Sequence, residues 1–321
     1  MKAISCSGIS ALFREEKWLR RILLFICGTI IFASGRGGLW FDEIWSFSFA
    51  DTAGSPFEIF TRFSHDNNHF LNTLYLYYLG EQKIFWLYRI PSMLSGVGSV
   101  MLVGRIAGRW GRAEQFFAMV AVGFSFPMVL YFSEARGYGP AVFFSLLGYW
   151  LITSSDKPAL RIVPVFWVCM TTALMWHPTA VIVLPAYLVV TAIQEAGQKK
   201  RYSVKIARIL LIYSVPMAVS VMLYLLHIRR MNVGGGPRYS IQQTATRVLS
   251  IIAGMPLSPV WGLIAAILMI LCLCIATLRL SRGKHPDSLI FVIVCISGAA
   301  VILVTPESDY TYIRYFLVCF P

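Results

Sequence analysis

Two acids stand side by side at Asp42 and Glu43, inside a stretch otherwise dominated by Trp40, Phe41, Trp45, Phe47 and Phe49. Adjacent carboxylates resist joint ionisation, and a low-dielectric setting penalises either charge. At a membrane surface such a pair is a candidate for proton chemistry; a solvated acidic turn is the plain alternative. Glu134 and Arg136 fall in a second polar segment, SEARGYGP at 133–140, as an ion pair within one loop or as contacts to a ligand. Arg89 and Arg314 open apolar segments, where a guanidinium can clamp a phosphate through charge-assisted hydrogen bonds or simply anchor the helix at the interface.

The histidines are fewer. His65 and His69 are four apart with Asp66 between them, a spacing that puts both on one face if the segment is helical. HDNNH is similar to the zinc motif HExxH, but Asp replaces the basic Glu and no third ligand is evident, so no metal site is assigned. His69 is read as a contact to a sugar or a lipid phosphate, and His65 as loop packing. His177, followed by Pro178, stands at a helix end.

The elements that must position these residues are apolar helices. The apolar fraction is 57% and only 13% of residues are charged, against about 45–50% apolar in an ordinary soluble domain. Apolar runs occupy 22–34, 90–108, 113–132, 141–153, 162–176, 179–193, 209–227, 260–278 and 289–305. A tenth run stops at Pro321, short of the roughly 20 residues a span needs, so the chain is expected to be truncated or to rely on other chains. The expected fold is an all-α polytopic membrane bundle of about nine to ten spans, one domain over 1–321, with short helices in a first external loop at 35–89.

Charge sets the sides. Lys and Arg gather between alternate runs, at Arg20 and Arg21, at Arg105, Arg109 and Arg112, at Lys157 and Arg161, at 199–208, and at Arg279, Arg282 and Lys284. These mark the cytoplasmic face and place Asp42 outside. The net charge of +13 is therefore read as a topology signal, and nucleic acid is excluded as a partner. Arg229, Arg230, Arg238 and Arg247 break the bias, lying in a third external loop that an anion could visit. Six of the seven cysteines fall in apolar runs, with no metal knuckle or disulfide framework. Gly104 and Gly108 form a small-xxx-small pair, read as close helix packing. No Rossmann or P-loop signature appears.

In order along the chain, FDEIW, NNHFLNTLYLYYLG, RIPSMLSGVGSV, SEARGYGP, WHPT and IRYFLVCFP resemble the GT-C superfamily of polyprenyl-phosphate-sugar-dependent glycosyltransferases. The similarity is to the dolichyl-phosphate-mannose protein mannosyltransferase-like and aminoarabinose-transferase-like branch, and it covers essentially the whole chain. The resemblance implies that Asp42 is the base for an acceptor hydroxyl with Glu43 orienting it. It also implies that Glu134 and Arg136 touch the acceptor or a divalent cation, the only cofactor it leaves open, and that His69, Arg89, His177 and Arg314 bind substrate.

The expected function is thus an integral glycosyltransferase of the cell (inner) membrane, multi-pass, with an extracytoplasmic active face. It would move a sugar from a polyprenyl-phosphate donor to a lipid, glycan or protein acceptor. The alternative is a transporter or flippase for a lipid-linked anion, with the third-loop arginines as its entry. Few mid-span charges favour the enzyme. An inactive scaffold is a third reading.

Overall fold

A chain this apolar must satisfy its backbone polar groups internally, and helices do so within one segment. The computed structural model describes residues 17–154 and 161–232, together with Gln243, Ile264 and Ile267. Among the described residues the secondary structure is helical apart from one isolated bridge between His65 and Asn232. The helices are α1 (Lys17–Ser34), α2 (Phe41–Thr52), α3 (Glu58–Thr61), α4 (Phe70–Leu79), α5 (Trp86–Ala107), α6 (Arg112–Gly123), α7 (Phe126–Phe132), α8 (Tyr138–Thr153), α9 (Ile162–Trp176), α10 (Val183–Ala196) and α11 (Tyr202–Leu226). A 3-10 turn (Pro178–Ile182) leads into α10, and another (Ile228–Arg230) follows α11.

Three helical segments are long and apolar enough to cross a membrane: Trp86–Ala107, Pro178–Ala196 and Tyr202–Arg230. A fourth is added if α6 and α7 count as one broken span. The remaining apolar helices are shorter: α8 and α9 have 16 and 15 residues, about 24 Å of helix against a hydrocarbon core of about 30 Å. The α1 helix has 18 residues but carries Lys17, Arg20 and Arg21. The expected runs at 260–278, 289–305 and the tenth run lie outside the described residues.

Segment 113–132 was expected as one helix, and the structure breaks it. The axes of α6 and α7 meet at 63°, with Ser125 in extended backbone between them. Pro127 explains the break, because in a continuous helix its ring would meet the carbonyl of Gly123.

At the centre, α5 packs against α1, α6, α7 and α8, and α8 packs in turn on α9. Leu23, Cys27 and Ile31, spaced by four, form the buried stripe of α1. The Gly104 reading holds: a Cβ there would come within 2.7 Å of the Met119 side chain on α6.

Interior prolines show how the polar accounting closes. A proline at position i leaves the carbonyl at i−4 without its helical donor. Pro91 orphans the carbonyl of Leu87, which accepts from the Tyr75 hydroxyl of α4 at 2.6 Å. Pro216 orphans that of Ile212, which accepts from the Trp167 indole of α9 at 3.0 Å. Each proline thereby turns a missing helical bond into a tie between two elements.

Candidate active site at the junction of two loops

The acid pair belongs to the first turn of α2. Successive helical residues point about 100° apart, so the two carboxylates diverge toward different partners. Glu43 turns inward. Its Oε1 accepts from Arg89 Nε at 2.8 Å and from the Ala135 amide at 2.5 Å, and its Oε2 from Arg89 Nη2 at 2.6 Å and the Trp40 amide at 2.7 Å. Four donors from α5, the second loop and the helix's own N-cap thus converge on one carboxylate.

Arg89 is satisfied just as fully. Beyond Glu43, its Nη1 donates to the carbonyls of Gly35 and Gly37 at 2.7 and 2.8 Å, and Nη2 donates to that of Gly38 at 2.7 Å. A guanidinium has five N–H donors, and all five are used. The expectation that Arg89 binds a phosphate is therefore corrected: it holds the GRGG turn and the start of α2 in place. Glu43 is corrected with it, from a partner of the base to a buried structural acid. Arg89 is 46 residues away in sequence and beside the pair in space.

Asp42 keeps an open edge, with 28% of its side chain exposed. Its Oδ2 accepts from Arg136 Nη1 at 2.9 Å and its Oδ1 from the Asn67 amide at 3.3 Å. Asn67 also accepts from Arg136 Nη2 at 2.8 Å, so aspartate, arginine and asparagine close a ring of polar contacts. The Arg136 guanidinium lies over the Tyr138 ring, 5.0 Å from its centroid.

Glu134 completes the charged group. Its Oε2 is 3.9 Å from Arg136 Nη1, so the ion pair within the loop is long, and the guanidinium faces Asp42 more closely. Burial raises the Glu134 carboxyl to about 7, with the carboxylates of Glu43 and Asp42 adding to the rise and Arg136 and Arg89 opposing it. A buried acid that titrates near neutrality can exchange a proton under working conditions.

Behind Arg136 lies a wall of rings. His69 is the N-cap residue of α4, and its Nδ1 accepts from the Gly137 amide at 3.0 Å. Its ring meets those of His177 and Tyr138 edge-on, with centroids 4.5 and 5.5 Å away. His177 stacks on Tyr138 at 4.0 Å, and its Nδ1 accepts from the Thr179 amide at 3.2 Å, capping the 3-10 turn. Gly137 is needed for this closeness, because a Cβ there would collide with the carbonyl oxygen of Trp176.

The helical reading of HDNNH is also corrected. Residues 65–69 form a turn that precedes α4, held by Asn68 donating to the carbonyls of Ile59 and Phe63. His65 therefore leaves the His69 side and stacks on Trp45 at 5.2 Å, in agreement with its reading as loop packing. Among the described residues no group of three or more His, Cys, Asp and Glu is placed to hold a metal ion.

The structure thus gathers Asp42, Glu134, Arg136, His69 and His177 at one junction and assigns Glu43 and Arg89 to its foundation. Arg314 lies outside the described residues. Asn67 and Tyr138 join the site without having been singled out in the sequence. The one signal for Asn67 was the amide pair Asn67-Asn68 beside His69 in an apolar neighbourhood. Membership of SEARGYGP was the only pointer to Tyr138, which the fold makes the first residue of α8.

No family model, curated protein or solved structure matches the chain.

Proposed function

We propose that the chain is an integral membrane glycosyltransferase that moves a sugar from a polyprenyl-phosphate donor to an extracytoplasmic acceptor. The observation that carries this reading is the division within the acid pair. Glu43 is buried under four donors, while Asp42 beside it is 28% exposed and faces an Arg136 counter-charge.

In the proposed step Asp42 takes the proton of an acceptor hydroxyl and the oxygen attacks the anomeric carbon. The bond from that carbon to the phosphate oxygen breaks, and polyprenyl phosphate leaves with the electron pair. Attack opposite the leaving group inverts the anomeric centre. Arg136 and Asn67 hold the carboxylate in place and are positioning residues. Arg314 retains its proposed role on the phosphate, in keeping with the sequence resemblance to GT-C enzymes.

The setting suits a lipid donor. On α2 the exposed residues Phe41, Ile44 and Trp45 form one face, while the buried face holds the polar Glu43 and Ser46 beside Phe49 and Ala50. Apolar groups facing out and polar groups facing in are what an element at a bilayer surface presents. Asp42 also lies at the end of the bundle opposite the basic turns, in keeping with an extracytoplasmic active face and a multi-pass bundle of about nine to ten spans in the cell (inner) membrane.

The test is transfer itself. Membranes containing the chain, incubated with radiolabelled polyprenyl-phosphate sugars, should deposit label on an acceptor fraction when control membranes do not. No labelled product from any polyprenyl-phosphate sugar would refute the reading.

A further inference from the structure

The opposite end of the bundle holds a second polar feature. A cleft of about 280 Å³ between the start of α1 and the facing ends of α5 and α6 is lined by four cations, Lys17, Arg20, Arg21 and Arg105. Arg89 and Arg105 are sixteen residues apart on α5, so along the helix the cleft lies about 24 Å from the Arg89–Glu43 pair.

Helix stability does not account for these charges. Arg105, in the last turn of α5, suits the negative end of that helix dipole. Lys17, Arg20 and Arg21 crowd the positive end of α1, where cations are disfavoured, and the first turn contains no acid. Among the described residues no acid lines the cleft, and the nearby Glu114 carboxylate folds back over Gly111. Counting Glu15 and Glu16, which immediately precede Lys17, still leaves an excess of two positive charges. Of the four, Arg20 has a neutral partner in Gln115, to which Nη1 donates at 2.9 Å.

Apart from Gln115, the rest of the described lining is apolar: Leu24, the exposed Met101 and Met119. A ligand that satisfies both parts needs an anionic head and a hydrocarbon body. We propose that this cleft binds the phosphate headgroup of an anionic membrane lipid, with the glycerol and first acyl carbons along Leu24 and Met101. Basic pockets between helices at a membrane surface recognise such headgroups. The inference is independent of the sugar-transfer reading, and the two can fail separately.

The full-length protein in neutral detergent is presented with phosphatidylglycerol, phosphatidylcholine or inorganic phosphate, and bound adducts are counted by native mass spectrometry. Phosphatidylglycerol should be retained over phosphatidylcholine, and Arg20→Gln with Arg105→Gln should weaken it at least about tenfold. Arg20→Lys with Arg105→Lys should keep most binding and shows that the fold survives change at these positions. Lys199→Gln with Lys200→Gln, which removes as much charge from an exposed turn elsewhere, should change nothing. Equal loss in both Gln doubles, equal retention of the two lipids, or full displacement of phosphatidylglycerol by equimolar inorganic phosphate would overturn the proposal.

Discussion

Arg89 meets Glu43 side-on, with Nε to Oε1 at 2.8 Å and Nη2 to Oε2 at 2.6 Å, where each side chain is only 1% exposed. The pair joins the start of α5 to the start of α2, so it fixes the helix turn that carries Asp42 one residue earlier. Removing one partner of a buried ion pair leaves an uncompensated charge, which costs about 3–5 kcal/mol. Arg89→Met should therefore lower the thermal unfolding midpoint in detergent sharply. A midpoint like that of the wild type would show that the pair is dispensable.

Glu134 gives the fold a pH dependence of definite sign. Its carboxyl is raised from 4.5 to about 7, chiefly by burial. Its contribution to stability is therefore full below pH 4.5 and lost as pH rises toward 7, where the unfolded chain ionises first. The loss is of order 3 kcal/mol. Glu134→Gln stays neutral throughout, so melts taken between about pH 4 and pH 8 should lose this component of the slope. An unchanged profile would place the titration elsewhere.

The tie from Trp167 to Ile212 depends on Pro216 having no N–H. Trp167→Phe should cost about 1 kcal/mol or more, by leaving a buried carbonyl unsatisfied. The same change in a Pro216→Ala background should cost less, because the alanine amide supplies the helical donor. A double-mutant cycle on unfolding free energy reads the difference. Strict additivity would mean that the indole bond does not serve the proline.

At Gly137 a methyl group has nowhere to go. The obstacle is the backbone oxygen of Trp176, which a side-chain rotation cannot relieve. Gly137→Ala should destabilise by about 1–3 kcal/mol, as overpacking does, and should separate His69 from the loop. Thermal unfolding measures the first effect and sugar transfer the second; wild-type values for both would contradict the packing described.

Much of this was legible beforehand. Seven apolar runs and the basic turns between them outlined eight of the described helices, one run covering both α6 and α7, and FDEIW, HDNNH, SEARGYGP and WHPT named the segments that meet. What the sequence could not show was which acid is buried and which stays partly exposed. Side chains from α2, α5 and the second loop decide that, and the spacing of Asp42 and Glu43 carries no information about partners 46 and 94 residues away. The helical spacing of His65 and His69 misled because the turn holding Asn68 interrupts the helix. The bend at Pro127 was visible in the residue itself, but a continuous run of apolar residues outweighed it.

The central claim is that the open acid of the pair, not the locked one, takes the acceptor's proton. Transfer from radiolabelled polyprenyl-phosphate sugar should be compared between wild type and Asp42→Asn, in membranes matched for folded protein. The amide can keep a contact to Asn67 but cannot accept the proton, and losing a general base lowers the rate by about 10²–10⁴-fold. Transfer lowered by that much with the protein still folded is the result predicted here; equal transfer by the two proteins would contradict it.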